Sequence, residues 1–235
     1  MRFSQKQRRV LTWWCRPGDW EAIICDGAVR SGKTFSMGLS FFLWAMARFN
    51  GRQLGLCGKT ITSLRRNLLA ELVPYLRRLG FDCWERRSEN LLTVRLGGII
   101  TALCPHVGYE KAAEVAKRAI ETGAPVRELI LQEGLLDEAA LMPRSFVEQA
   151  VARCSVAGSR LWFNCNPENP QHWFYREWIL RARERRALYL HFTMEDNPAL
   201  SPRIRARYRS AYSGVFYRRF VLGEWTAAQG RVYDF

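Results

Sequence analysis

The chain has 235 residues, 48% hydrophobic and 25% charged, which excludes both a disordered polymer and a small domain that needs staples to fold. Its 36 basic residues outnumber 22 acidic ones, for a formal net charge of +14, and so large an excess points to a polyanionic partner such as nucleic acid. Only five of the basic residues are lysines, and seven cysteines without C-x-x-C spacing beside three histidines argue against a disulfide framework or a zinc pattern.

Apolar runs bounded by turn residues alternate with helical patterns along the chain, which predicts an α/β fold with a mainly parallel central sheet flanked by helices. Residues 22–26 read as a short buried strand that leads through a glycine-bearing loop into an apolar helix at 35–49. That helix is interrupted by Ser36, Gly38, Ser40 and Arg48 and is too short to span a bilayer. The polar, basic N-terminus lacks the apolar core of a signal peptide, so a soluble protein in a reducing compartment, away from membranes, is expected. A strand at 54–58 precedes a helix at 61–79, and segments 91–96 and 99–103 form a hairpin across Gly97 and Gly98. Then come a helix at 111–121, a strand at 129–136, a helix at 145–153, a strand at 160–164, a helix at 171–186, a last strand at 188–192 and a helical tail at 201–222.

The loop after the first strand reads Gly27-Ala-Val-Arg-Ser-Gly-Lys-Thr34, the Walker A pattern of P-loop NTPases. Backbone N–H groups from Gly27 through Ala28, Val29, Arg30, Ser31 and Gly32 can cradle phosphate oxygens, and the helix that starts near Lys33 adds the positive end of its dipole. Lys33 is suited to the β- and γ-phosphates of ATP, and the Thr34 hydroxyl to Mg²⁺. Arg30 is either a second charge for the γ-phosphate or a solvated loop arginine. A second element must hold Mg²⁺ and activate water, and the apolar run 129–136 ends in Asp137 and Glu138. Asp137 is the expected Mg²⁺ carboxylate and Glu138 the group that orients or deprotonates the attacking water. Such a pair can also be a helix cap, and Glu133 is a competing acid.

Four further segments carry a resemblance. Asp137-Glu-Ala-Ala-Leu-Met-Pro-Arg-Ser-Phe-Val-Glu-Gln149, Leu161-Trp-Phe-Asn-Cys-Asn-Pro167, His191-Phe-Thr-Met-Glu-Asp-Asn-Pro198 and Gly214-Val-Phe-Tyr-Arg-Arg-Phe-Val-Leu-Gly-Glu-Trp225 resemble the large terminase subunit of tailed bacteriophages. The resemblance covers nearly the whole chain. It implies the ATPase domain of a motor that couples Mg²⁺-dependent ATP hydrolysis to translocation of double-stranded DNA into a procapsid. A homo-oligomeric ring on the capsid portal, a small terminase subunit and the cytoplasm of a bacterial host are implied with it. Residues 1–190 would be the P-loop ATPase core and 191–235 a small C-terminal lid or linker. The family's nuclease acids lie beyond the last residues, so no nuclease activity is expected of this chain.

The resemblance further matches Asn164 and Asn166 to the motif that senses the γ-phosphate, although either also suits the turn before Pro167. It matches Gln7 to the glutamine that reads adenine, the alternative being a surface-helix glutamine. Ring motors place an arginine on a neighbour's ATP; Arg127 is the first choice, with Arg144, Arg153 and Arg160 behind it. DNA contact should be electrostatic and independent of sequence, through Lys59, Arg65, Arg66 or the tail arginines 203, 205, 207, 209, 218 and 219. The tail aromatics Tyr208, Tyr212, Phe216 and Tyr217 read as lid packing. Two rival functions remain: a strand-separating helicase-like ATPase, and a nucleotide-gated DNA-binding module with little turnover.

Overall fold

The computed structural model describes residues 2–15, 20–49, 53–97, 99–107, 134–154 and 158–227. The expected helix at 111–121, the first part of the strand expected at 129–136, Arg127 and Glu133 lie outside the described residues.

A short helix α1 (Gln5–Thr12) opens on a capping box in which Ser4 and Gln7 satisfy each other's backbone N–H groups. Strand β1 (Ala22–Gly27) follows and leads through the glycine loop into α2 (Lys33–Arg48), the apolar helix expected from its composition. After β2 (Gln53–Gly58), helix α3 (Ile61–Leu64) passes through a π-helical turn (Arg65–Leu69) into α4 (Ala70–Arg78), together the single helix predicted there. Strands β3 (Asp82–Arg86), β4 (Leu91–Leu96) and β5 (Ile99–Val107) come next, and Leu96 pairs with Ile99 across the expected Gly97 turn. Strand β6 (Gly134–Asp137), α5 (Arg144–Arg153), β7 (Leu161–Asn164) and β8 (Ala187–Phe192) complete the core.

One eight-stranded sheet runs in the order β3-β4-β5-β2-β6-β7-β1-β8. The pairs from β5 to β8 are all parallel, and at one edge β4 pairs antiparallel with both β3 and β5, so β4 runs against the other strands. The fold is therefore α/β with a mainly parallel sheet, as expected. The carboxyl ends of β1, β6 and β7 meet at one rim, because β7 pairs in parallel with both β1 and β6.

Both faces of the sheet are covered, and side-chain alternation divides them. Ile23 and Cys25 of β1 join α1, α2, α3 and α4 in one core; Ala22 and Ile24 join α5 and the segment around Phe174 and Trp178 in the other. The first core centres on Trp162 of β7, whose ring packs against Trp13, Phe41 and Trp44 with centroids 5.1, 5.2 and 4.6 Å away. Its indole N–H donates to Ser40 Oγ at 3.2 Å, and that hydroxyl donates to the Val10 carbonyl at 2.6 Å, so β7, α2 and α1 share one chain of bonds.

The α-helix expected over 171–186 is not regular. A π-helical turn (Tyr175–Ile179) stands there, where Phe174 and Trp178 stack at 6.2 Å, followed by irregular turns that end at Arg186 with φ 50°. The apolar stripe 174, 178, 182 is that of a helix, but mixed hydrogen-bond spacings close the turns. The tail is helical as expected, in α6 (Pro202–Ala211), α7 (Gly214–Phe216) and a π-helical turn (Tyr217–Leu222). A small third cluster of Ala28, Met194, Leu200 and Val221 lies beneath it, with Tyr208, Tyr212 and Tyr217 packed on it as predicted; Phe216 is exposed instead.

Candidate functional site

The rim where β1, β6 and β7 end is a cleft of about 860 Å³. The loop that leaves β1 forms its floor. Gly32 has φ 81°, a conformation strained for any residue with a side chain, and a Cβ there would stand 2.4 Å from Gln7 Nε2 and displace that amide. Gln7 is thus buried and lines the cleft, not a surface-helix glutamine; its Oε1 is taken by the Ser4 N–H at 3.0 Å. Ala28, Val29, Arg30, Ser31 and Gly32 follow Gly27 around the turn, and α2 begins at Lys33, so the helix N-terminus faces the cleft.

Lys33 is 4% exposed. Its ammonium donates to the carbonyls of Gly27 (3.2 Å) and Ala28 (2.9 Å) and to Asn166 Oδ1 at 2.8 Å. Burial pushes its pKa below the ordinary lysine value, opposed by the nearby Asp26 and Asp137. On the far side, Asn164 Nδ2 bridges two groups, donating to Thr34 Oγ1 at 2.9 Å and to Asp137 Oδ1 at 2.5 Å. Asp137 is 3% exposed, and burial raises its carboxyl to a pKa of about 6 against the opposing Asn164 hydrogen bond. Glu138 follows in the left-handed region (φ 60°, ψ 41°), an unfavourable conformation for a residue with a side chain, and it lines the same cleft.

Two buried polar atoms here have no partner among the described residues: Ser31 Oγ and Asn164 Oδ1. Orphaned donors and acceptors at the mouth of a cleft are what a bound polar ligand satisfies. The Thr34 hydroxyl and the Asp137 carboxylate are oxygen donors suited to Mg²⁺, which is typically held by one or two protein oxygens and completed by phosphates and water. No cluster of three His, Cys, Asp or Glu suited to a dedicated metal cage occurs among the described residues.

Arg30 has φ 58°; its Nε donates to the Tyr208 hydroxyl on α6 at 3.0 Å, and its carbonyl accepts from Asn197 Nδ2 at 2.7 Å. The structure therefore bonds Arg30 to the tail while the residue stays exposed. Asn197 is a residue that sequence reasoning left without a role, although it stands inside the 191–198 motif. The far wall, with Arg66, Asn67, Glu71, Tyr75 and Arg78 of the helix after β2, was not anticipated, since nothing in that sequence marks it as facing the loop. Arg66, considered for DNA, lines this cleft, and Arg65 pairs with Glu85 at 3.1 Å. Arg144 pairs with Glu148 and Glu177, and Arg160 lies over the Trp13 ring. Of the tail arginines, 209, 218 and 219 are paired with Glu195, Glu224 and Glu168, and Arg205 donates to the Asn197 carbonyl; Arg203 and Arg207 are exposed.

Comparison with known proteins gives two kinds of likeness. The model for the Fumarase C C-terminus matches residues 99–142. An aspartate ammonia-lyase of Pseudomonas canavaninivorans is 40% identical over 35% of this chain but only 18% of the enzyme. A fumarate hydratase class II of Pseudomonas aeruginosa is 56% identical over 26% of the chain and 13% of the enzyme. Among solved structures, the large terminase of a thermophilic bacteriophage superposes on the whole chain with a TM-score of 0.88 and 43% identity. The same protein in complex with ADP matches 95% of the chain with a TM-score of 0.84. The large terminase of bacteriophage HK97 shares the fold, with a TM-score of 0.64 at 14% identity. The chain spans 56% of the thermophilic phage protein's length. Its structural neighbours over the full length are thus phage large terminases, whereas these lyase likenesses cover about a third of the chain or less.

Proposed function

We propose that the chain is a Mg²⁺-dependent ATPase that drives packaging of double-stranded viral DNA. One observation carries the reading: a single amide, Asn164, joins the hydroxyl after the loop lysine to the carboxylate that ends β6. Three separate strand ends thereby present a lysine, a hydroxyl, a carboxylate and a sensor amide to one cleft. The thermophilic phage terminase, 43% identical along the whole chain, has been solved with ADP and with ATP-gamma-S, which supports a nucleotide in the corresponding cleft.

On this reading the Gly27–Thr34 loop binds phosphates through its N–H groups and Lys33. Thr34 and Asp137 hold Mg²⁺, which supplies charge neutralisation across the phosphates. Glu138 orients and deprotonates the attacking water. Asn166, bonded to Lys33, and Asn164, bonded to Asp137, sense the phosphate because each touches a group that the nucleotide engages. Arg30 reaches the γ-phosphate by leaving Tyr208. Gln7 Nε2 remains to read the base. A neighbour's arginine, with Arg127 the first candidate, completes the site in a ring on the portal. The lid at 191–235, the small subunit and the host cytoplasm belong to the same reading, and Arg203 and Arg207 are the tail arginines left for DNA phosphates.

Lyase chemistry has no comparable support, since the matched stretch spans under a fifth of those enzymes and the cleft draws its lining from Arg2 to Leu200. The deciding test is Glu138→Gln. It should bind ATP as the parent does while hydrolysis falls by about 10²–10⁴-fold. Unchanged turnover would remove Glu138 from the mechanism, and normal binding by Lys33→Ala would remove the phosphate loop.

A further inference from the structure

Asp26, the residue before the phosphate loop, is fully buried, and the mechanism above does not use it. Both of its oxygens are engaged. Oδ1 lies 2.9 Å from His191 Nδ1 on β8, and Oδ2 accepts the indole N–H of Trp225 at 2.6 Å. Burial, with the neighbouring Asp26 charge, raises the Tyr189 phenol above its ordinary pKa. Trp225 stands 199 residues further along the chain, so this bond fastens the C-terminal segment to the base of the loop.

Further contacts make the fastening a strap. The Val29 N–H, inside the loop, donates to the Phe220 carbonyl at 2.9 Å. Gly223 (φ 77°) lies so close over the loop that a Cβ there would come within 2.7 Å of the Ala28 nitrogen. Beyond it the Thr226 N–H donates to the Glu168 carbonyl at 3.1 Å, and Arg219 bonds both the Thr226 carbonyl and the Glu168 carboxylate. Glu168 follows Asn166 by two residues. Segment 217–226 therefore touches the phosphate loop at one end and the sensor loop after β7 at the other, with the Trp225 ring stacked on Tyr175 at 4.8 Å between them.

We propose that Asp26 is a positioning residue that straps segment 217–226 onto the phosphate loop, so that nucleotide affinity and the order of that segment are set together. The proposal rests on the nucleotide reading of the cleft. Its physical basis is that a loop that binds through aimed N–H groups loses affinity when its backbone is free to wander. Neither Asp26 nor Trp225 lines the cleft, so each acts through the loop and not on the ligand.

The test measures ATP-gamma-S binding by calorimetry and amide hydrogen exchange with and without nucleotide, on the full chain. Trp225→Phe keeps a ring against Tyr175 and removes the N–H. It should bind about tenfold more weakly at a temperature where it is fully folded. It should also lose the nucleotide-dependent protection of amides 217–225 that the parent shows. Gly223→Ala, whose Cβ would press on Ala28, Gly27 and the His191 ring and so push the segment off the loop while leaving the Trp225 indole in place, should do the same and decides the matter if Trp225→Phe does not fold. Trp84→Phe, on the distant edge strand, should match the parent. Parental affinity and parental protection in both folded variants would overturn the strap while leaving the ATPase reading intact. Failure of the parent itself to bind ATP-gamma-S would overturn the nucleotide reading and the strap with it.

Discussion

Asp137 sits in a place no carboxylate would choose for stability. It is buried, burial raises its pKa to about 6, and the Asn164 amide and the Lys33 charge offset that only in part. Asp137→Asn should therefore raise the thermal midpoint of the ligand-free chain while abolishing Mg²⁺-dependent hydrolysis, the trade expected where a strained site serves function. Differential scanning calorimetry beside an ATPase assay checks both halves; a lower midpoint with normal turnover would show the carboxylate to be structural. His191 makes the opposite case. Its hydrogen bond to Asp26 raises its pKa above 6.5 despite partial burial, with Lys6 lowering it and Asp196 raising it. A histidine with a raised folded pKa stabilises fully below the unfolded value, and that contribution is lost as pH rises through the folded one. Thermal midpoints of the parent should accordingly fall on going from pH 6 toward pH 8 more than those of His191→Gln, and parallel curves would refute the coupling.

The elements that hold the site are positioned by packing, and β7 shows how. Its four residues carry Trp162 into one core and Phe163 into the other, and its last residue, Asn164, bridges Thr34 and Asp137. Trp162→Ala should cost about 3–5 kcal/mol, read by denaturant unfolding, because a fully buried ring leaves a cavity between α1 and α2. A loss under 1 kcal/mol would mean that the aromatic cluster repacks. Elements with simple periodicity were legible from the sequence: β1, α2, the hairpin of β4 and β5, and the helix after β2. The segment 171–186 was not, because an apolar stripe at every fourth position does not distinguish an α-helix from turns closed by mixed hydrogen bonds.

At the scale of the molecule, one cleft collects the ends of β1, β6 and β7 together with α1, α4 and residues 197–200. An arginine contributed by a neighbour would make turnover depend on assembly. The ATPase rate per subunit should then rise with protein concentration, and rise further with double-stranded DNA, in a steady-state assay over a hundredfold concentration range. A flat rate would mean a site complete within one chain and would favour the nucleotide-gated module.

The sequence alone determined the α/β class and placed the glycine-bearing turn at 27–34 and the acids Asp137 and Glu138 at strand ends, because spacing along the chain is the physical signal for each. Even a segment such as 99–142, which by local likeness matches a fumarase C-terminus, contributes β6 and Asp137 to the terminase-like cleft. Tertiary structure decided that placement. It also decided that Arg30 is held by Tyr208, that Lys33 is held by Asn166, and that Asp26 is bonded to Trp225. These pairs stand 133 to 199 residues apart, and no local pattern encodes a hydrogen bond at that range. Only the parallel order of the strands, fixed by burial on both faces of the sheet, brings those ends to one rim.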